Sequence, residues 1–234
     1  MNRLRTTLVA GVLLCAGLAH ADQRLWAWTY GSAMLEPGEA ELEHYTTLES
    51  PDWSQRETNL AAVQQFELEI GMGPRLDAAV YQVFSREPGA SLDWAGYKVR
   101  LRWRLNRDPE ALGHPLLYLE HKNNNTLSDA AAEAKLLLSQ RVGMLDLAFN
   151  PVVELHGDDV EFESLAGVSV PLSPRLNLGC EARFSEHGHY LGPVISHGGE
   201  GLWAVLGAGW RLGAAEPTDI THELRLILGV RVKE

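Results

Sequence analysis

The sequence predicts an all-β fold, a transmembrane antiparallel up-and-down β-barrel of twelve strands, on three observations. Residues 1–21, MNRLRTTLVAGVLLCAGLAHA, have the build of a cleaved secretory signal peptide. Arg3 and Arg5 supply the positive end, Leu8 to Leu18 the apolar stretch, and Ala19-His20-Ala21 the small-x-small cleavage site. About a dozen short segments follow in which apolar and polar residues alternate. No later stretch has the roughly eighteen consecutive apolar residues that a membrane-spanning helix needs. An exported, alternating chain crosses a bilayer only by closing its strands, so that every backbone group finds a partner.

Three parts follow from this: the leader 1–21, a periplasmic N-terminal lead-in 22–39, and the barrel 40–234. The lead-in, DQRLWAWTYGSAMLEPGE, is aromatic-rich and ends in a Pro-Gly turn. Its expected place is at the barrel mouth. The first strand is expected over 40–50, and the polar stretch PDWSQRETNLAA separates it from the second, 63–72. There the period of two is plain: Phe66, Leu68 and Ile70 point one way, and Gln65, Glu67 and Glu69 the other. A helix would scatter those glutamates, whereas a strand files them together. Gly73-Pro74-Arg75 then turns the chain into a third strand, 75–86.

The fourth segment, 94–106, alternates most cleanly. Tyr97, Val99, Leu101, Trp103 and Leu105 form one face, and Lys98, Arg100, Arg102 and Arg104 the other. Four like charges in a file require water or carboxylates beside them, because an unpaired buried charge is costly. The same alternation places further strands at 114–123, 131–141, 144–155, 160–171, 175–185, 188–196, 201–212 and 221–232. Twelve is an even number, as single-chain bacterial barrels require. Ten is the alternative if 188–196 is a loop, since Gly188, Gly192 and Pro193 weaken it. If the first strand runs outward, the joins after the second, sixth and eighth are periplasmic. They are tight (Gly71–Arg75, Val142-Gly143-Met144 and Ser173-Pro174-Arg175), while several outer joins are longer and polar. The seven tryptophans, Trp26, Trp28, Trp53, Trp94, Trp103, Trp203 and Trp210, are candidates for partial belts at the two interfaces. The chain ends VRVKE, without the final aromatic that resembles the usual assembly signal of such barrels.

The polar file is the best functional candidate. Glu67, Glu69, Lys98, Arg100, Arg102, Arg104, Glu120, Glu133, Lys135, Glu161, Glu163, Glu181, Arg183, Glu223 and Arg225 are expected to line the lumen. They form either a narrow aqueous path for small solutes or an internal salt-bridge network that fills it. Twelve strands give a lumen between the filled eight-stranded case and the open sixteen-stranded one.

Composition excludes several classes. The whole chain carries a formal charge of -11, and loss of the leader removes two arginines and no acid. Such an acidic chain has no electrostatic reason to hold nucleic acid. Cys15 lies in the leader and Cys180 stands alone after it, so no internal disulfide forms. Leu14 before Cys15 is the wrong residue for lipoprotein processing. Cys180 shares the apolar parity of Leu178, Ala182 and Phe184 and is expected to act as a small hydrophobe. No metal motif and no glycine-rich phosphate loop is present, so no cofactor is expected. His187, His189 and His197, with Glu181 or Glu186, are the nearest approach to a zinc site and read better as loop and rim residues. A hydrolase acting on membrane lipid is the second functional reading. Ser185 with His187 is its weak candidate pair, and His44 with Thr46 has similar same-face spacing, but no third residue orients either base.

Several stretches also resemble known proteins: YGSAMLEPGEAELEHYTT (30–47), QQFELEIGMGPRLDAAVYQVF (64–84), EAKLLLSQRVGMLDLAFNPVVE (133–154) and HYLGPVISHGG (189–199). They are similar to a family of proteobacterial outer-membrane β-barrel proteins to which no activity is attached. That family is distantly similar to the transporter-like barrels labelled as a phenol-degradation pathway family. The resemblance implies a barrel in the bacterial outer membrane. It carries over no catalytic residue and no substrate. The expected partners are outer-membrane lipid and lipopolysaccharide, the insertion machinery and small solutes. The leading expectation is a narrow pore or uptake channel; the third reading is a plugged structural barrel without transport.

Overall fold

The computed structural model describes residues 24–106, 112–199 and 201–233. The leader and its cleavage site lie outside the described residues. No helix among those described is long and apolar enough to cross a membrane. Twelve antiparallel strands form a closed barrel. They are β1 (Ala40–Ser50), β2 (Ala61–Gly73), β3 (Leu76–Arg86), β4 (Asp93–Arg104), β5 (Leu116–Asn124) and β6 (Ala130–Val142). The second half contains β7 (Leu145–His156), β8 (Asp159–Ser173), β9 (Leu176–Ser185), β10 (Gly188–Gly199), β11 (Leu202–Leu212) and β12 (His222–Lys233). Each strand pairs with its sequence neighbours, and β12 closes on β1 from Ala40↔Lys233 to Ser50↔His222. No edge is left to pair with another chain.

The segment 188–196, weakened by Gly188, Gly192 and Pro193, is a strand and continues to Gly199. Two features explain how β10 tolerates those residues. Pro193 points outward at a place where the β10–β11 ladder has a gap between Leu191 and Val194, so no hydrogen bond is missed. Gly192 lies where an added Cβ would come 1.7 Å from the carbonyl oxygen of Ala208, so the two backbones approach only because no side chain intervenes. On β4, Gly96 has φ +150 and sits at a register shift beside Val83 and Phe84, a bulge that turns Trp94 outward.

The two faces of the wall differ in chemistry. Every strand contributes apolar residues to the outer surface, among them Leu42, Phe66, Val80, Leu101, Leu119, Val142, Phe149, Phe162, Leu178, Ile195, Leu206 and Leu228, all exposed. Of the tryptophans, Trp94, Trp103 and Trp210 join that surface. Trp26 and Trp203 are buried inside, and Trp53 belongs to a 3-10 turn between β1 and β2. The belt expected from all seven is thus carried by three. The reason is that parity places Trp203 inward, while Trp26 and Trp28 precede the barrel.

Inside, the packing is lopsided. Tyr45, Ala79, Tyr81, Ala148, Val194, Trp203, Val205 and Ile227 form an apolar cluster with Trp26 and Ala27. A smaller cluster of Leu116, Tyr118 and Leu137 takes Tyr30 and Met34 against it. The ionic residues are densest on β1–β6, with a second group on β8, β9 and β12.

Candidate functional site

The residues expected at the lumen all stand on the inner files of their strands, and most are paired there. Arg100 is the hub: its Nη1 lies 2.8 Å from Glu67 Oε1 and its Nη2 2.6 Å from Glu69 Oε2. It also donates to the Tyr81 hydroxyl at 2.7 Å. Arg102 grips Asp77 with two prongs, Nε to Oδ1 at 2.9 Å and Nη2 to Oδ2 at 2.8 Å, and touches Glu69 as well. Bidentate guanidinium–carboxylate contacts of this kind are the strongest of ordinary ion pairs. Lys98 pairs with Glu120 at 3.3 Å and Lys135 with Glu133 at 3.0 Å. Arg183 pairs with Glu223 at 2.5 Å and with Glu163 at 3.5 Å. Glu161 sits at the rim, 3.0 Å from His187.

Several participants escaped the sequence reading. Asp77 is fully buried and meets Arg102 across one strand pair. Glu41 and Glu43 on β1 are buried too. Their signal was present: on 40–50, Glu41, Glu43, Tyr45 and Thr47 alternate with Leu42, His44, Thr46 and Leu48.

The main difference concerns the lead-in. Residues 24–32 lie inside the barrel rather than at its mouth, and their backbone is held by side chains of the wall; Ala33 and Glu36 are exposed on the way out to β1. The Glu181 carboxylate accepts three successive amides: Ala27 N at 2.7 Å, Trp28 N at 2.9 Å and Thr29 N at 2.7 Å. Asn150 accepts from Tyr30 N at 2.7 Å and donates back to Tyr30 O at 3.1 Å. Ser139 Oγ accepts from Ser32 N at 3.0 Å, and Arg104 donates to Ser32 O at 3.1 Å. The segment leaves at the end where β1 begins, tied by Gly38 N to Gly71 O at 2.8 Å.

Glycines on the wall make room for this plug. A Cβ on Gly167 would come 2.5 Å from the Trp26 indole nitrogen, and one on Gly207 would come 2.6 Å from Ala27 Cβ. The cause of the plug's depth is therefore shape and donor supply. A chain of unpaired amides enters a space where β7 and β9 offer acceptors and β8 and β11 offer no side chain.

Three cavities among the described residues border one another, and the middle one has the most polar lining. The first, about 260 Å³, lies toward the β1-start end and is bordered by Tyr30, Ser32, Glu43, Arg102 and Gln140. The second, about 180 Å³, is bordered by Trp28, Tyr30, Tyr118, Lys98, Lys135, Arg183 and Arg225. The third, about 230 Å³, opens at the other end between Lys98, Lys122, Asp129 and Glu154. Tyr30 of the plug separates the first from the second, and Lys98 separates the second from the third.

The hydrolase candidates do not come together. The Ser185 hydroxyl donates to the carbonyl of Gly188 at 3.2 Å, closing the two-residue turn after β9. His187 in that turn is exposed and reaches across to Glu161. Same-face spacing holds only while a strand continues, and the turn ends it. His44 and Thr46 face outward, both bonded to Gln64. His189 and His197 lie on the outer face of β10, away from His187. Glu181 is taken by the plug.

No protein-family model matches the chain, and no curated protein matches it. Several solved structures are similar in fold, among them two outer-membrane proteins. One is the KdgM porin, in complex with disordered oligogalacturonate: 7% identity and TM-score 0.59, covering 82% of this chain and 97% of that one. The other is an outer membrane channel from Pseudomonas putida F1: 8% identity and TM-score 0.60, covering 92% of this chain and all of that one (100%). At such identities the likeness shows the barrel architecture alone. Neither bears on phenol degradation.

Proposed function

We propose that this chain is a bacterial outer-membrane channel for small polar solutes, shut in the described conformation by its own N-terminal segment. One observation carries the reading: cavities of about 260, 180 and 230 Å³ border one another, the first two through the plug's Tyr30 and the last two through Lys98. The outer surface supports a membrane setting, since each of the twelve strands presents apolar side chains outward where hydrocarbon would cover them. Outer-membrane lipid and lipopolysaccharide are then its surroundings, and the insertion machinery its assembly partner. The end where β1 begins, where four of the five joins are two residues long and only the β4–β5 join is extended, is periplasmic in this reading. The architecture shared with two channel-forming barrels is compatible with transport.

The plug pairs with no strand, so it can leave without opening the β1–β12 seam. Planar-bilayer conductance of the whole chain and of Gly167→Leu tests the reading, the latter because a leucine there would collide with Trp26. The whole chain should show low conductance with brief openings, and the variant a steady ohmic current. A variant that folds as a heat-modifiable barrel yet conducts no more than bare lipid removes the channel and leaves the plugged structural barrel. The dense pairing around Arg100 and Arg102 is what favours that second reading.

A further inference from the structure

The lipid-facing surface is not uniform. Through the middle of β6–β12 the outward files carry residues such as Ala134, Phe149, Ile195 and Leu226, with Ser164 as their polar member. The outward files of β1–β3 instead hold His44, Thr46, Gln64 and Gln82. Thr46 stands directly across from Gln64, and Phe66 from both His44 and Gln82. The Gln64 carbonyl oxygen accepts from His44 Nε2 at 2.6 Å and from Thr46 Oγ1 at 2.9 Å. The Gln82 carbonyl oxygen accepts from the Trp94 indole at 3.1 Å, and an indole N–H only donates. Both carbonyls are thus engaged, and both amide NH2 groups are left without an acceptor among the described residues. Such donors are costly where hydrocarbon is the only neighbour.

A cation stands above them. Arg86 ends β3 with the outward parity of Val80, Gln82 and Phe84, and its side chain has no ion pair or hydrogen bond among the described residues. At about 3.3 Å per residue and a tilt of about 40°, each residue of a strand climbs roughly 2.5 Å. Gln64 is two residues along β2 from Ala62, the partner of Arg86, and Gln82 is four residues back along β3, so both lie roughly 5–10 Å deeper. The rim elsewhere is acidic. The joins after β5, β7, β9 and β11 carry Asp129, Asp158, Glu186, Glu216 and Asp219, with no lysine or arginine.

We propose that the outer face of β1–β3 docks one lipopolysaccharide molecule, with a lipid A phosphate on Arg86 and acyl ester or hydroxyl oxygens on the Gln64 and Gln82 amides. The site offers donors at two levels, a guanidinium at the rim and two NH2 groups below it. Lipid A supplies acceptors in the same order, phosphate on its sugars and then ester and hydroxyl oxygens at the head of its acyl chains. Phe66 and Val80, exposed beside the glutamines, give the chains apolar contact. The acidic joins elsewhere repel the same phosphates, which confines the lipid to this arc. A second copy of this chain fits worse, because a two-fold axis here would set Arg86 against Arg86 and amide donors against donors. The site rests on the membrane setting and orientation of the channel reading, which put this end in the outer leaflet, and not on conduction.

Native mass spectrometry of the whole chain in detergent, stripped of lipid and then titrated with bisphosphorylated lipid A, tests it. Phosphatidylglycerol is the comparator, and heat modifiability shows that each variant is folded. A single lipid A should bind saturably. Arg86→Gln should weaken it about ten-fold or more, the loss of one charge-assisted contact. Gln64→Leu combined with Gln82→Leu keeps the bulk, removes the donors and should weaken it by a similar factor. Arg141→Gln, at the opposite end, should change nothing. Binding that does not saturate, an unchanged affinity in either set of substitutions, or equal affinity for phosphatidylglycerol overturns the proposal. So does a lipid-free dimer that the glutamine substitutions dissociate. Saturable binding through Arg86 by a barrel that carries no current sinks the channel and leaves the site; a conducting barrel that ignores lipid A does the reverse.

Discussion

Replacing Glu181 with alanine removes the acceptor of three consecutive amides, those of Ala27, Trp28 and Thr29. Glu181 is buried, and it makes no ion pair among the described residues. Its deletion therefore acts on the plug and spares the ionic network of the wall. A buried donor left without a partner costs about 1–3 kcal/mol. Three amides held by one carboxylate do not add fully, so docking of the plug should weaken by about 3–6 kcal/mol. At about 1.4 kcal/mol per decade, the undocked population grows roughly 10²- to 10⁴-fold. Hydrogen exchange measured on a peptide covering 25–32, in detergent or nanodiscs, reads that population directly. Protection at 27–29 should fall by that factor, while amides in β9 and β11 keep theirs. Glu181→Gln retains one acceptor oxygen and should show a smaller loss. Undiminished protection at 27–29 in a folded Glu181→Ala barrel would refute the clamp and the plug's dependence on it.

Other outcomes follow from the same geometry. Arg102→Met leaves Asp77 and Glu69 facing each other in the buried wall and should lower stability to denaturant by about 3–5 kcal/mol. Breaking the exposed Arg141–Asp146 pair with Arg141→Met should cost less than about 1 kcal/mol in the same assay. Ser185→Ala and His187→Ala should each leave outer-membrane lipid composition unchanged, since neither residue is paired with the other; a lost deacylation product in either strain would restore the hydrolase. Asp52 caps the 3-10 turn after β1, and hydrogen bonds from the Ser54 hydroxyl and amide hold its carboxyl below the usual carboxylate value. A lowered folded value means the cap is present above the ordinary range and is lost as pH falls through it. Protection of the 52–58 amides, taken relative to their intrinsic exchange rate at each pH, should fall on acidification and become insensitive to pH in Asp52→Ala.

The strands are largely legible in the sequence. The expected 63–72 and 94–106 are β2 and β4 within a few residues, and the files Glu67–Glu69 and Lys98–Arg104 lie on the inner face. Each residue of such a strand meets one of two environments, and the alternation records which. Pairings were not legible in the same way. Asp77 meets Arg102 because the β3–β4 register brings them side by side, and the 24 intervening residues contain no trace of that meeting. Ser185 and His187 show the opposite failure, where a local spacing suggested proximity that a turn dissolves.

The lead-in marks the boundary most clearly. Trp26, Trp28 and Tyr30 announce an aromatic-rich segment, and sequence alone determined that much, along with the sidedness of the strands; it left ten or twelve strands open, and the structure decided for twelve. Where those rings go was decided by Gly167 on β8, Gly207 on β11, Glu181 on β9 and Asn150 on β7. Alternation is a one-dimensional record of two solvents, whereas the contents of a closed lumen depend on inward side chains converging from strands far apart in the chain. Only closure of the barrel brings those residues together and sets whether a space is filled, charged or empty.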